Sequence, residues 1–293
     1  MKKSNLVKSI NGLMYILSSL FALICLYPFL LVMFSSFTDE GSLLREGYSI
    51  FPHKFSVAAY VAIFSTNTVP DAYLVTIFIT ITGTFLSLLI TCAASYALSG
   101  RRLYYKNYIN FYFYFTMLFS GGIVPQYILI TKYLHLSDTI WVYIIPALLS
   151  PWNMFLMRNF FNDIPVELFE SAKIEGAGEM TILYRIVLPL SLPALATIGL
   201  FYALGYWSSW FPGMLYVDNP RLYSLQYIIM RIIRNIDMAA TIAAKGAPAG
   251  SPIAPSYAVR LATAVVTIGP IIFLYPFLQK YFVGGLKVGA IKG

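Results

Sequence analysis

Charge is what this sequence has least of. Only 11% of its 293 residues are Asp, Glu, Lys or Arg, against about 25% in soluble globular domains. All 20 Lys and Arg and all 12 Asp and Glu lie outside six long apolar stretches. Cysteine is nearly absent too. Cys25 and Cys92 both fall inside apolar runs, which excludes a disulfide framework and leaves them as small buried hydrophobes. The two histidines, His53 and His135, sit in different segments, without metal-ligand spacing or a carboxylate pair. No G-x-S-x-G nucleophile elbow occurs, so a membrane-embedded hydrolase has nothing to stand on. A phosphate-binding loop is missing as well. Behind Gly284 and Gly289, the positions that need Lys and Ser or Thr hold Ala290 and Ile291.

What is present is apolar surface. With 59% hydrophobic residues and a mean hydropathy of +0.73, the chain has too few polar side chains to cover a water-soluble core, so a bilayer is the better solvent. A spanning helix needs about 20 apolar residues. Six charge-free stretches meet that length: Gly12–Ser36, Ala72–Leu98, Asn107–Thr131, Thr139–Met157, Leu188–Pro212 and Leu261–Gln279. Period-two alternation is absent, which excludes a membrane barrel, and helices satisfy their own backbone in lipid. The expectation is an all-α membrane protein with six transmembrane helices. The opening "MKKSNLVK" has a signal-like charge, but the apolar run behind it is too long and lacks a small-x-small cleavage site. It is expected to remain as the first span.

Six spans put both termini on one side. Placing them in the cytoplasm leaves 12 basic residues inside and 8 outside, five of the latter in the long segment before the last span. The basic residues are thus spread over membrane flanks as topology requires, not gathered for nucleic acid. No span contains an ionisable group, whereas ion-coupled carriers bind their coupling ions near the midplane. That argues against an ion-coupled secondary sugar transporter and for an external energy source.

One inner loop breaks the charge pattern. Residues 158–187 hold five acids, Asp163, Glu167, Glu170, Glu175 and Glu179, against three bases. Pro165 can open a helix, Glu167 and Glu170 suit its positive end, and Gly176 stands where a helix from Val166 to Ile174 would be stopped. A second helical run from Glu179 leads into "IVLPLSLP". The spacing predicts a helix, a glycine turn and a helix, with Ser171 and Ala172 as small side chains that let another surface approach.

This loop resembles the cytoplasmic loop of ATP-binding-cassette importer permeases, whose pattern is Glu-Ala-Ala, three residues, Gly, nine residues, Ile-x-Leu-Pro. Here it reads Glu170-Ser171-Ala172, Gly176, then Ile186-Val187-Leu188-Pro189, with Ser171 as the one departure. The segment Phe119–Pro165 and the ending "GGLKVGAIKG" resemble the smaller permeases of oligosaccharide importers of the maltose type. The resemblance implies a type I permease: one transmembrane domain over 1–293, with a first span at 12–36, a core permease region at about 72–283, a coupling loop at 158–187, an outer loop at 213–260 and a cytoplasmic tail at 280–293. It implies a bacterial inner-membrane location, a second permease as heterodimer partner, two ATPase subunits that bind ATP and Mg, and an extracytoplasmic sugar-binding protein. The elbow Glu170–Gly176 would be the coupling helix seated in an ATPase cleft, with Glu170 meeting a basic group there, and Ile186, Leu188 and Pro189 completing the loop.

The outer loop contains "NPRLYSLQYIIMRIIRNIDM", with Arg231 and Arg234 among Ile, Leu and Met, followed by the Gly/Pro/Ala-rich "AAKGAPAGSPIAPS". It reads as an amphipathic surface helix and a linker; the family adds a docking face for the binding protein. Sugars are gripped by aromatic faces and amide or hydroxyl groups. Tyr206, Trp207, Ser208 and Trp210 in "YWSSW", with Trp152 and Asn153, are the candidates. Aromatics near span ends are more often interfacial anchors, and a bond to a neighbouring helix is the commoner reason for an Asn such as Asn153.

Overall fold

The computed structural model describes residues 2–52, 54–65, 67–100, 103–244 and 257–269. Helices dominate: α1 (Lys2–Ser35), α2 (Glu40–Glu46), α3 (Ala58–Phe64), α4 (Thr68–Ser99), α5 (Lys106–Leu118), α6 (Ile123–Ile128), α7 (Trp141–Ile144), α8 (Pro151–Asn162), α9 (Val166–Ile174), α10 (Glu179–Ile182), α11 (Leu188–Leu190), α12 (Leu192–Trp207), α13 (Phe211–Tyr216), α14 (Leu225–Ala244) and α15 (Tyr257–Gly269). Among the described residues there is no strand, only an isolated bridge between Thr38 and Phe55. Two units divide the chain, one from 1–67 with 229–269, the other built on 68–228.

Two described helices are long and apolar enough to cross a bilayer, Ile10–Ser35 within α1 and Thr68–Ser99; two bent helix pairs raise the number to four. None of the most apolar stretch of α1 is buried, with Tyr15 75% and Phe21 70% exposed. A water-soluble chain would not leave such a surface open, so α1 belongs against lipid or another chain.

The other expected spans differ from straight helices, for local reasons. In Asn107–Thr131, α5 ends at Leu118 and the chain turns by 111° before Ile123–Tyr133. Gly122 supplies the left-handed residue there, at φ +88°. Leu188–Pro212 is bent by 83° at Ser191, where Pro189 and Pro193 interrupt the helical ladder. Leu188 to Leu190 therefore belong to the preceding helix, and α12 begins at Leu192. Thr139–Met157 is not one helix. It consists of α7, a 3₁₀ turn at Ile145–Ala147, an extended Ser150 at ψ 117°, and α8. Pro151 forces Ser150 out of the helical region. Protein covers one side of this stretch: Val142, Tyr143, Ile144, Met154 and Met157 are buried, whereas Trp141, Ile145 and Trp152 are exposed. The last span, Leu261–Gln279, is helical as far as Gly269; its remainder, the tail 280–293, His53 and most of the Gly/Pro/Ala-rich linker lie outside the described residues.

The larger unit is organised around α4. Thr76, Thr80, Gly83, Ser87, Thr91 and Ser95 recur every three or four residues and are all buried, so they share one face. Small and hydroxylated side chains let helices approach closely and bond across the seam. Two tyrosines one turn apart on α12 fill it. Tyr202 Oη lies 2.7 Å from Thr91 Oγ1 and accepts the Ser150 N–H at 3.0 Å. Tyr206 Oη lies 2.8 Å from Ser87 Oγ and donates to the Ile144 carbonyl at 3.4 Å. Ser95 Oγ donates to the Met154 carbonyl at 2.9 Å, tying α8 to the same face.

In the smaller unit, Ser36 Oγ donates to the Met33 carbonyl at 2.6 Å and lies 2.7 Å from the Tyr60 hydroxyl. The serine proton is thus used, and the tyrosine donates. Burial raises the Tyr60 phenol above its ordinary range, with the Ser36 bond acting the other way. Glu40 of α2 accepts the N–H groups of Tyr257 and Ala258, both at 2.9 Å. Its charge therefore meets the positive end of α15.

Candidate functional site

The elbow forms where local chemistry demands it. Pro165, at φ −55° and ψ 134°, stands outside the first turn, and α9 runs from Val166 to Ile174. It ends in a Schellman closure. The Ala177 N–H donates to the Ala172 carbonyl at 2.9 Å, the Gly176 N–H to the Lys173 carbonyl at 3.1 Å, and Gly176 takes φ +83°. A residue with a Cβ would be strained there. The chain then enters α10 at Glu179, passes a π turn at Leu183–Val187, and reaches the corner at Pro189.

The outward surface of this elbow mixes apolar and acidic groups. Ile174 is 88% exposed, Met180 68%, and Leu168 and Tyr184 are also exposed. Glu167, Glu170 and Glu175 stand beside them, exposed. Among the described residues Glu170 makes no ion pair. The small pair splits: Ser171 is exposed, whereas Ala172 is buried. Ala172 is small because α9 rests on the chain's own body at that point, and only Ser171 faces outward. Of the closing motif, Val187 is fully buried, Ile186 and Leu188 are half-buried, and Pro189 is exposed.

Glu179 is the residue that sequence reasoning misses. In the sequence it is one acid of five, yet in the fold it links the elbow in two directions. Its Oε1 lies 2.8 Å from Lys173 Nζ on α9, and its Oε2 accepts from the Tyr96 hydroxyl on α4 at 2.6 Å. Its position in the first turn after Gly178, six residues beyond a lysine, is the available signal.

The candidate sugar contacts are distributed unevenly. Trp152 in the first turn of α8 is 60% exposed, while its neighbour Asn153 is buried, its N–H held by Ser150 Oγ at 3.4 Å. Tyr206 and Trp207 are 4% exposed each. Tyr206 is occupied in the α4–α12 seam, and Trp207 packs edge-on to Tyr73 with ring centroids 6.4 Å apart. The Trp207 Nε1–H has no hydrogen-bond partner among the described residues. Ser208 is exposed after the end of α12, and Trp210 is half-buried, edge-on to Phe211. Tyr206 thus serves helix packing, and only Trp152, Ser208 and Trp210 retain accessible surface. No group of described His, Cys, Asp or Glu residues could hold a metal ion.

No family model matches the sequence. Known proteins do. Protein LplC of Bacillus subtilis (strain 168) is 39% identical over 270 residues, which is 92% of this chain and 90% of LplC. The polygalacturonan/rhamnogalacturonan transport system permease protein YtcP of the same organism is 38% identical over 275 residues, 94% of this chain and 95% of YtcP. The arabinooligosaccharides transport system permease protein AraQ of Halalkalibacterium halodurans is 27% identical over 280 residues, 93% of each chain. Among solved structures, a chain of a bacterial ABC transporter involved in the import of the acidic polysaccharide alginate matches with a TM-score of 0.80 at 29% identity, over 94% of this chain and 97% of that one. YtcP and AraQ are named as permease proteins of transport systems and the solved structure as an ABC transporter. A permease of such a system is a non-catalytic membrane component, and an ATPase and a substrate-binding protein are its implied partners. Identity of this extent, with the same helical architecture, settles the family: the chain belongs to the sugar permease subunits of ABC importers, and it is an integral membrane protein of carbohydrate uptake.

Proposed function

We propose that this chain is one of two permeases in an importer for acidic, uronate-containing oligosaccharides, and that residues 158–187 couple the closure of two partner ATPases to alternating access. One observation carries the reading: the elbow from Val166 to Gly176 is a short helix locked by a left-handed glycine, with Leu168, Ile174, Met180 and Tyr184 outward among Glu167, Glu170 and Glu175. Outside the bilayer, an apolar patch rimmed by charge is a surface for another protein. Glu170, Ser171, Gly176, Ile186, Leu188 and Pro189 form the contact and its base, with Ala172 seating the helix. ATP and Mg reside on the two ATPases. Support for the cargo comes from relatives named for polygalacturonan/rhamnogalacturonan and alginate transport.

The rest of the assembly follows the same reading. In this reading six spans, the fourth of them the broken segment from α7 to α8, cross a bacterial inner membrane with both termini in the cytoplasm. The uncovered α1 meets lipid and the second permease of a heterodimer, and an extracytoplasmic binding protein delivers the sugar to the outer loop 213–260. Trp152, Ser208 and Trp210 touch the passing sugar; Asn153, Tyr206 and Trp207 support them from behind.

The test is uptake of labelled oligogalacturonides and neutral oligosaccharides by cells carrying the wild-type chain, Gly176→Asp or Glu170→Lys. Both variants are expected to insert normally and to lose uptake at least about tenfold, as breaking a docked charge contact does. Normal uptake at normal membrane levels in either variant would overturn the coupling role. Uptake of neutral sugars alone would overturn the acidic cargo.

A further inference from the structure

α9 is held to its own chain by little. Ala172 is its one buried side chain, and two glycines, Gly176 and Gly178, separate it from α10. Neither has a neighbour within 4 Å of the position a Cβ would take. The Schellman bonds lock the chain as far as Ala177, and beyond them the extended Gly178 leaves the angle to α10 free to swivel unless something bridges it. Glu179 does so in two directions: Lys173 Nζ lies 2.8 Å from Oε1 across the turn, and the Tyr96 hydroxyl donates to Oε2 at 2.6 Å from the last turn of α4. α4 is the helix on which α12 and α8 are bonded through Ser87, Thr91 and Ser95.

We propose that Glu179 is a positioning residue that sets the angle between α9 and α10 and hands the elbow's movement to α4. The inference rests on the elbow being the coupling element. The ion pair fixes the swivel, and the tyrosine bond fixes the elbow to the core helix. Removing the carboxylate leaves α9 free to turn about Gly178, so that a pull on it dissipates there instead of moving α4.

The experiment uses the complete transporter in proteoliposomes and reads sugar uptake per ATP hydrolysed, alongside co-purification of the ATPase subunits. Glu179→Ala is expected to keep the ATPases bound and to lower uptake per ATP about tenfold, the equivalent of about 1.4 kcal/mol. Tyr96→Phe is expected to give a smaller loss of the same kind. The charge swap Lys173→Glu with Glu179→Lys restores both links, because the ammonium then carried at position 179 would donate to the carboxylate at position 173 and to Tyr96 Oη. The swap is expected to recover most of the ratio. An unchanged ratio in Glu179→Ala overturns the proposal, as does loss of the ATPases, which would make Glu179 a docking residue. No recovery on the swap also overturns it. Failure of the coupling reading is distinguishable, since Gly176→Asp and Glu170→Lys would then leave uptake intact whatever Glu179 does.

Discussion

Replacing Gly83 by alanine adds one methyl group where α4 and α12 touch. An ideal Cβ at Gly83 would stand 2.7 Å from Tyr206 Cε2 and Cζ, and 2.8 Å from Cε1. Carbon atoms rest about 3.5–4.0 Å apart, so the ring would have to retreat by about 0.8 Å or more. It is not free to do so, because its hydroxyl is held by Ser87 at 2.8 Å and the Ile144 carbonyl at 3.4 Å. Overpacking of this kind costs about 1–3 kcal/mol. Stretching the Ser87 bond beyond use adds about 0.6 kcal/mol, the mean for such bonds between membrane helices. Gly83→Ala is therefore expected to destabilise the folded chain by about 1.6–3.6 kcal/mol in unfolding titrations from mixed micelles. Tyr206→Leu vacates the ring's space, so the pair should be non-additive by at least about 1 kcal/mol. A Gly83→Ala cost below about 0.5 kcal/mol, or strict additivity with Tyr206→Leu, would refute the close approach.

At the next rung, Tyr202→Phe leaves both Thr91 Oγ1 and the Ser150 N–H without their partner, and should cost about 1–3 kcal/mol; Thr91→Val, which leaves Tyr202 its bond from Ser150, should cost less in the same titration. In the smaller unit, Glu40→Ala removes the acceptor of two N–H groups at the start of α15. It should cost about 1 kcal/mol and speed amide exchange at Tyr257 and Ala258, with Glu40→Gln intermediate.

The elbow is legible in the sequence because its signals are local. Pro165, the acids behind it and Gly176 at the stop position place α9 at Val166–Ile174 without reference to any distant residue, since a helix end is decided by the groups within one turn of it. Glu179 is not legible in this way. Its meaning depends on Tyr96, 83 positions earlier in the chain. The inward turn of Ala172 likewise depends on what lies beneath α9.

The sequence by itself determined that this is a helical membrane protein without a motor of its own, because scarce charge and long apolar runs state how much surface must leave water. Tertiary structure alone decided what removes that surface from water. Residues 139–157 are as apolar as a spanning helix, yet they form short segments, in which Tyr143, Ile144 and Met154 are buried by neighbouring helices while Trp141, Ile145 and Trp152 stay exposed. Apolarity measures aversion to water and does not distinguish lipid from protein as the refuge. The hydroxyl stripe of α4 shows the converse. Its four-residue spacing is visible in the sequence, but its partners Tyr202 and Tyr206 lie 111 and 119 residues away from Thr91 and Ser87, and only folding brings donor and acceptor within reach.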